Sequence, residues 1–277
     1  MGLRIATNVQ SLSAQRFLTS NKQNLDRSLE RLSSGSRINR AGDDAAGLAI
    51  SEKLKDNIRS MKQASRNAND GVSMIQVAEG AMNEVSNILI RMRELSIQAS
   101  SDTIGDTERG FINKEVQALK GEVDRIAVST EFNGTRLLDG SSKPLDIQVG
   151  INNNPGVDRF VYDTNETKTS LEGLGLVSVG TESKMSAQEN MATLDMAINK
   201  LNGNRAGLGA LQNRLASTIN NLNIYVENLA AANSRIRDTD MAEETSEMTK
   251  QNILSQANIS VLAQANQSSQ LALKLLG

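Results

Sequence analysis

Cysteine, histidine and tryptophan are absent from the 277 residues, and proline occurs only twice. Without cysteine there is no disulfide framework, no thiol nucleophile and no thiolate metal site. Without histidine the commonest general base and metal ligand is missing as well. Four Phe and two Tyr are the whole aromatic complement, and only 38% of the chain is hydrophobic, so long thin helices suit it better than a thick core. The net charge of -2 offers no broad basic surface for nucleic acid and lets like molecules approach closely. No apolar run is long enough to cross a membrane. The opening MGLRIATNVQSLSAQRF has no apolar block of the signal-peptide kind, and Ala6 stands where a myristoylation pattern wants Ser or Thr. Conventional secretion and membrane attachment are therefore not expected.

What the chain does have is helical periodicity, clearest where it is least stabilised. In the stretch 246–277, Leu254, Ala257, Val261, Ala265, Ser268, Ala272 and Leu275 recur at alternating three- and four-residue steps, the mark of a helix with one narrow apolar seam. After Lys250 its only charged side chain is Lys274. Ordering each residue costs about 1–2 kcal/mol of backbone entropy, so this helix needs a partner. Residues 1–33, with Ile5, Val9, Leu12, Leu18, Leu25, Leu29 and Leu32, look like the other half of a pair. Spacing alone does not choose between parallel and antiparallel pairing. Between the ends lie three further patterns: a proline-free seam from Leu54 through Met82 to Leu95, a second helix near 106–129, and a third seam from Met191 to Ile236. Three such helices can share a core that none could form alone. Asn133-Gly134 and Asp139-Gly140 carry hairpin-turn chemistry, and PLDIQVG and RFVYDT alternate like strands around an exposed NNNPG loop.

Two charged joints flank the terminal stretches: Arg31, Arg37 and Arg40 with Asp43 and Asp44, and Arg235 with Asp238 and Asp240. In the first joint the arginines opposite the two aspartates are expected to form a local ion-pair network or a contact with another subunit, the alternative being an ordinary solvated loop; Asp43 or Asp44 also suits a helix cap. Asp43-Asp44, Asp238 with Asp240, and Glu243-Glu244 are the paired carboxylates available for acid–base work, but long helices give them no cleft to displace their pKa values. EF-hand, P-loop and dinucleotide-binding spacings are all missing. The reading is a non-enzyme without cofactor or metal.

Several motifs resemble those of bacterial flagellin, the flagellar filament family. They are Thr7-Asn8-Val9-Gln10-Ser11-Leu12-Ser13-Ala14-Gln15; Leu29 to Asn39, LERLSSGSRIN; Ala41 to Ile50, AGDDAAGLAI; Glu131-Phe132-Asn133-Gly134; and Ala231 to Glu244, AANSRIRDTDMAEE. The resemblance spans nearly the whole chain. It implies a mainly α fold: a long antiparallel helical hairpin or coiled-coil rod, a small β-hairpin region and paired terminal helices. The expected division is 1–45 and 235–277 for the inner-tube helices and their spokes, 46–136 and 187–234 for the two rod halves, and 137–186 for the β-rich region, with no large outer domain.

The resemblance implies self-polymerisation into a motility filament outside the cell, after export by the flagellar type III system without a cleaved signal. The polymerising residues would be Ile5, Val9, Leu12, Leu254, Ala257, Val261, Ala265, Ala272 and Leu275, with Arg31, Arg37, Asp43, Asp44, Arg235, Asp238 and Asp240 at the joints. Implied partners are other copies of the chain, a flagellar export chaperone, and cap and hook-associated proteins. Ile90, Arg91, Leu95, Gln98 and Glu115 match a patch read by the Toll-like flagellin receptor in some family members, with Ile90 replacing the usual polar residue; the same residues could instead serve contacts between subunits. A hook–filament junction protein and an intracellular coiled-coil scaffold are the rival readings.

Overall fold

The computed structural model describes residues 7–274, and side chains as far as 267. Its elements in chain order are α1 (Val9–Ser34), α2 (Ala45–Ala99), α3 (Asp106–Ser129), β1 (Glu131–Phe132), β2 (Thr135–Arg136), β3 (Leu145–Gln148), α4 (Pro155–Asp158), β4 (Arg159–Tyr162), α5 (Leu171–Leu174), α6 (Lys184–Arg237) and α7 (Met241–Lys274). Two units divide the chain, one of residues up to 56 and from 228 onward, the other of 57–227.

The central unit is built on the predicted seams. On α2, Ala68, Ile75, Met82, Val85, Leu89, Met92 and Leu95 are buried; they meet Ile112, Val116 and Val123 of α3 and Leu194, Leu201, Leu208 and Leu215 of α6 in one core. Four-residue and three-residue steps keep one stripe of each helix inward, so a chain poor in apolar residues still closes a core. Polar side chains fix how the helices meet. Arg93 Nε donates to Asp195 Oδ1 at 2.6 Å, and Arg91 reaches Glu115 at 3.0 Å. The turn between α2 and α3 is held by buried Arg109, which donates to the carbonyls of Ala99 and Ser101 and to Asp106. The Ala99 carbonyl ends α2, where helical partners run out, and that of Ser101 lies in the turn beyond it, where it also accepts from the Ile104 N–H.

Asn133-Gly134 turns β1 into β2, and both residues take positive φ, 50° and 76°, as a type I′ turn requires. Asp139-Gly140 does not make a second hairpin. Asp139 instead accepts from the N–H and hydroxyl of Ser141, forming a local turn that no paired strand follows. β3 and β4 pair antiparallel, Leu145 opposite Tyr162 and Gln148 opposite Arg159. Leu137, Leu138, Tyr162, Leu174, Leu176 and Val179 anchor this region in the core, with Tyr162 Oη donating to the Leu137 carbonyl at 3.0 Å. Burial pushes that phenol above its ordinary pKa. Between α5 and α6 the backbone is held by side chains rather than strands. Lys120 Nζ donates to the carbonyls of Val177 and Val179, Gln117 to Val179, and Asn190 to Gly180. Desolvation lowers the Lys120 pKa.

In the terminal unit α1 and α7 pair antiparallel. Asn8 Nδ2 donates to the Ala265 carbonyl at 2.9 Å and Ser11 Oγ to Asn266 Oδ1 at 3.0 Å at one end, while Arg31 faces Glu244 at 3.5 Å at the other. Asn8 caps α1 by accepting from the Ser11 N–H, and Gly35, at φ 67°, ends it in the left-handed conformation.

Candidate assembly interface

The contact rows of α1 and α7 have strict heptad spacing. On α1 they are Ser11, Ala14, Leu18, Asn21, Leu25, Ser28 and Leu32; on α7, Glu244, Met248, Gln251, Ser255, Asn258, Leu262 and Ala265. Every one of these is buried or half-buried, yet most are small or polar. Small side chains let two backbones approach closely without demanding much apolar area. Leu18, Leu25, Leu32, Met248 and Leu262 are the large apolar members of these rows; other large apolar residues point elsewhere, for Val9, Leu12, Phe17 and Leu29 on α1, and Ile253, Leu254, Ile259 and Val261 on α7, are all exposed. Leu12 keeps 54% of its surface and Val261 56%, whereas Ala265 keeps 5%.

The predicted seam of α7 is thus not its contact with α1. With 3.6 residues per turn, Leu254, Ala257 and Val261 stand about a quarter-turn away from the contact row; Ala265 alone of that set, among the residues whose side chains are described, is buried. Ile5 and Leu275 lie outside the described residues, and so does the side chain of Ala272. On α1 the apolar periodicity finds Leu18, Leu25 and Leu32 of the contact row; on α7 it passes over most of the row because Ser, Asn, Gln and Glu occupy it. The readable signal would have been matching heptads of small and polar residues at the two ends of the chain.

The two joints come together, but not through the expected pairing of arginines with Asp43 and Asp44. Arg37 N–H donates to the Arg237 carbonyl, Arg37 Nη2 to the Ile236 carbonyl at 2.8 Å, and Thr239 N–H to the Gly35 carbonyl. Ser36 and Asp238 form an antiparallel bridge. Arg40 pairs with Glu30 at 2.9 Å, Arg31 with Glu244, and Arg237 with Glu52. The aspartates serve the backbone instead. Asp43 accepts from the N–H groups of Asn39 and Arg40, Asp44 caps α2 through the Gly47 N–H, and Asp240 caps α7 through Ala242 and Glu243. The physical reason is local: unsatisfied N–H groups at a turn or helix start are nearer than any guanidinium, while the carbonyls ending α6 attract Arg37. The bond from the Arg40 N–H, followed by that from Asn39, holds the Asp43 carboxyl below its usual range. Arg235 is exposed near the end of α6.

In the central unit Ile90, Arg91, Gln98 and Glu115 are on the surface, with Arg91 bonded to both Glu94 and Glu115. Leu95 is not part of that surface. It is 1% exposed, because its seam position turns it into the core between α2 and its neighbours. Among the described residues no three acidic side chains are arranged to hold a metal, and no helix is long and apolar enough to cross a membrane.

The bacterial flagellin N-terminal helical region matches residues 5–143 and the bacterial flagellin C-terminal helical region matches 191–276. A flagellin of Halalkalibacterium halodurans is 45% identical over 97% of this chain and 98% of its own length, and a flagellin of Bacillus subtilis is 43% identical over 99% and 100%. The flagellar filament 33 kDa core protein of Treponema phagedenis is 42% identical over 97% of this chain and 98% of its own. Among solved structures, Bacillus cereus flagellin superposes with a TM-score of 0.50 at 32% identity, covering 57% of this chain and 88% of that one.

Proposed function

Since the chain belongs to the bacterial flagellin family, and so is a structural subunit of the flagellar filament, we propose that the outward faces of α1 and α7 are the surface it buries against other copies of itself. The filament role stands ahead of the hook–filament junction alternative, given the filament proteins among its relatives. The observation that carries the proposal is the division of labour on the terminal pair: a contact row in which small and polar residues outnumber large apolar ones, and a further set of large apolar residues left exposed on other faces. Val9, Leu12, Leu254, Ala257 and Val261 are the described members of that face; Ala265, buried against α1, is not one of them, and the expected members Ile5, Ala272 and Leu275 lie outside the described side chains. Each large side chain that leaves water on assembly contributes about 1.5–3 kcal/mol. In this reading Arg31, Arg37, Asp43, Asp44, Arg235, Asp238 and Asp240 set how the terminal helices leave the joint, and the protein performs no catalysis.

Export by the flagellar type III route, with a chaperone before assembly and cap and hook-associated proteins at the filament ends, belongs to the same proposal. It is supported by family membership and by a terminal pair whose own seam is weakly apolar. Ile90, Arg91, Gln98 and Glu115 supply a surface for the Toll-like receptor or a neighbouring subunit, and Leu95 supports it from beneath. The test is a double variant, Leu12→Ser with Val261→Ser, mixed with filament seeds. The expected result is a chain with unchanged helicity by circular dichroism that fails to elongate the seeds. Elongation at the wild-type rate would refute the assignment.

A further inference from the structure

The sequence contains Asn-Gly twice, at Asn133-Gly134 and Asn202-Gly203, and the fold places the two copies in opposite backbone states. Asn133 and Gly134 are the two turn residues between β1 and β2; both are exposed, and nothing lies within 4 Å of where a Gly134 Cβ would stand. Asn202 is exposed as well, but it lies deep inside α6. Among the described residues Asn133 is the one non-glycine residue with positive φ, a conformation that costs L-residues energy and that departure from the turn would relieve. Each strand it joins is only two residues long, so local opening there is easy.

We infer that Asn133 is a site of spontaneous deamidation and backbone isomerisation, and that Asn202 is protected from the same chemistry. The Gly134 nitrogen, after losing its proton to solvent base, attacks the Asn133 side-chain carbonyl carbon. The new C–N bond closes a succinimide and the side-chain nitrogen leaves as ammonia. Water then opens the ring at either carbonyl, giving an aspartyl or an isoaspartyl link. Glycine permits this because it places no side chain against the approaching carbonyl, and asparagine is among the thermolabile residues for such reasons. At Asn202 the same attack requires the helix to open first, since a helical backbone fixes the following nitrogen as a donor to the turn before it.

The isoaspartyl product puts an extra methylene into the main chain at the tightest point of the hairpin. The register Phe132 opposite Thr135 then cannot be kept, and Leu137 and Leu138, both fully buried two and three residues past Thr135, lose their fixed approach to the core. The aspartyl product is milder, because Asp-Gly also suits this turn.

The experiment uses the full-length wild-type chain, incubated at mildly alkaline pH with and without urea, then digested and followed by mass spectrometry. Conversion appears as a gain of about one dalton on either peptide, with isoaspartate identified by its shifted retention. In the native chain Asn133 should convert at least about tenfold faster than Asn202, because only the latter waits for helix opening. In urea the two rates should converge. Comparable native rates at both sites, or slower conversion at Asn133, would overturn the inference.

Discussion

Replacing Gln251 with methionine should tighten the pairing of α1 with α7. Gln251 is 6% exposed in the middle of the α7 contact row; its Nε2 donates to Glu247 at 2.6 Å, but its Oε1 is buried without a hydrogen-bond partner among the described residues. A buried acceptor left unpaired costs about 1–3 kcal/mol, and a hydrogen bond to a charged group contributes about 1.5–3 kcal/mol. Methionine removes both, and burial of its side chain adds about 1.5–3 kcal/mol. Glu247 keeps Lys250 at 3.1 Å and contact with water, so the lost bond falls at the low end. The net expectation is a gain of about 1–2 kcal/mol, roughly five- to thirtyfold in the closing equilibrium. Hydrogen exchange read by mass spectrometry would show that rise in protection for amides of α1 and α7, while those of 57–227 stay as they were. Unchanged or reduced protection in α7 would refute the idea that unpaired polarity limits the strength of this seam.

Arg109→Met should cost about 2–3 kcal/mol, since it strips a charged donor from the buried carbonyl of Ala99 and the half-buried one of Ser101. Urea unfolding of the central unit should show a lower midpoint with an unchanged slope, and a midpoint equal to wild type would mean those carbonyls find water instead. Asp43 makes the first joint acid-sensitive. Its folded pKa lies below the unfolded value, so the contribution is complete above about pH 4 and disappears as pH falls through the folded value. Asp43→Asn should abolish this sensitivity, and an Asp43 carboxyl that titrates by NMR at the ordinary aspartate position would contradict the assignment.

The central unit was legible because its core follows the signal that sequence reading detects best. A seam such as Ile75, Met82, Val85 and Leu89 combines regular helical spacing with residues that have nowhere favourable to go except inward. Residues that act by hydrogen bonding gave no such signal. Arg109 and Lys120 each hold two main-chain carbonyls from inside the fold, yet in the sequence they read as ordinary surface cations of amphipathic helices. The Asp139-Gly140 turn failed for a related reason. Asp-Gly specifies a local bend, and whether two strands flank the bend depends on partners far away in the chain.

At the terminal pair the apolar pattern was real but pointed to a different partner. Leu254 and Val261 follow a seam, and within the chain nothing among the described residues covers it. Apolar periodicity reports which face of a helix water disfavours; it does not say whether the cover comes from the same chain or another. Here two patterns share one helix: a heptad of Glu244, Gln251, Asn258 and Ala265 turned to α1, and an apolar row about a quarter-turn away. The first suits a contact of modest strength whose register is fixed by polar groups, since mismatched buried polarity is costly in any other alignment. The second leaves apolar area available until another surface arrives. A subunit that has to exist alone before it is incorporated is served by that order of strengths, and the Leu12→Ser with Val261→Ser variant separates the two because it alters only the outward row.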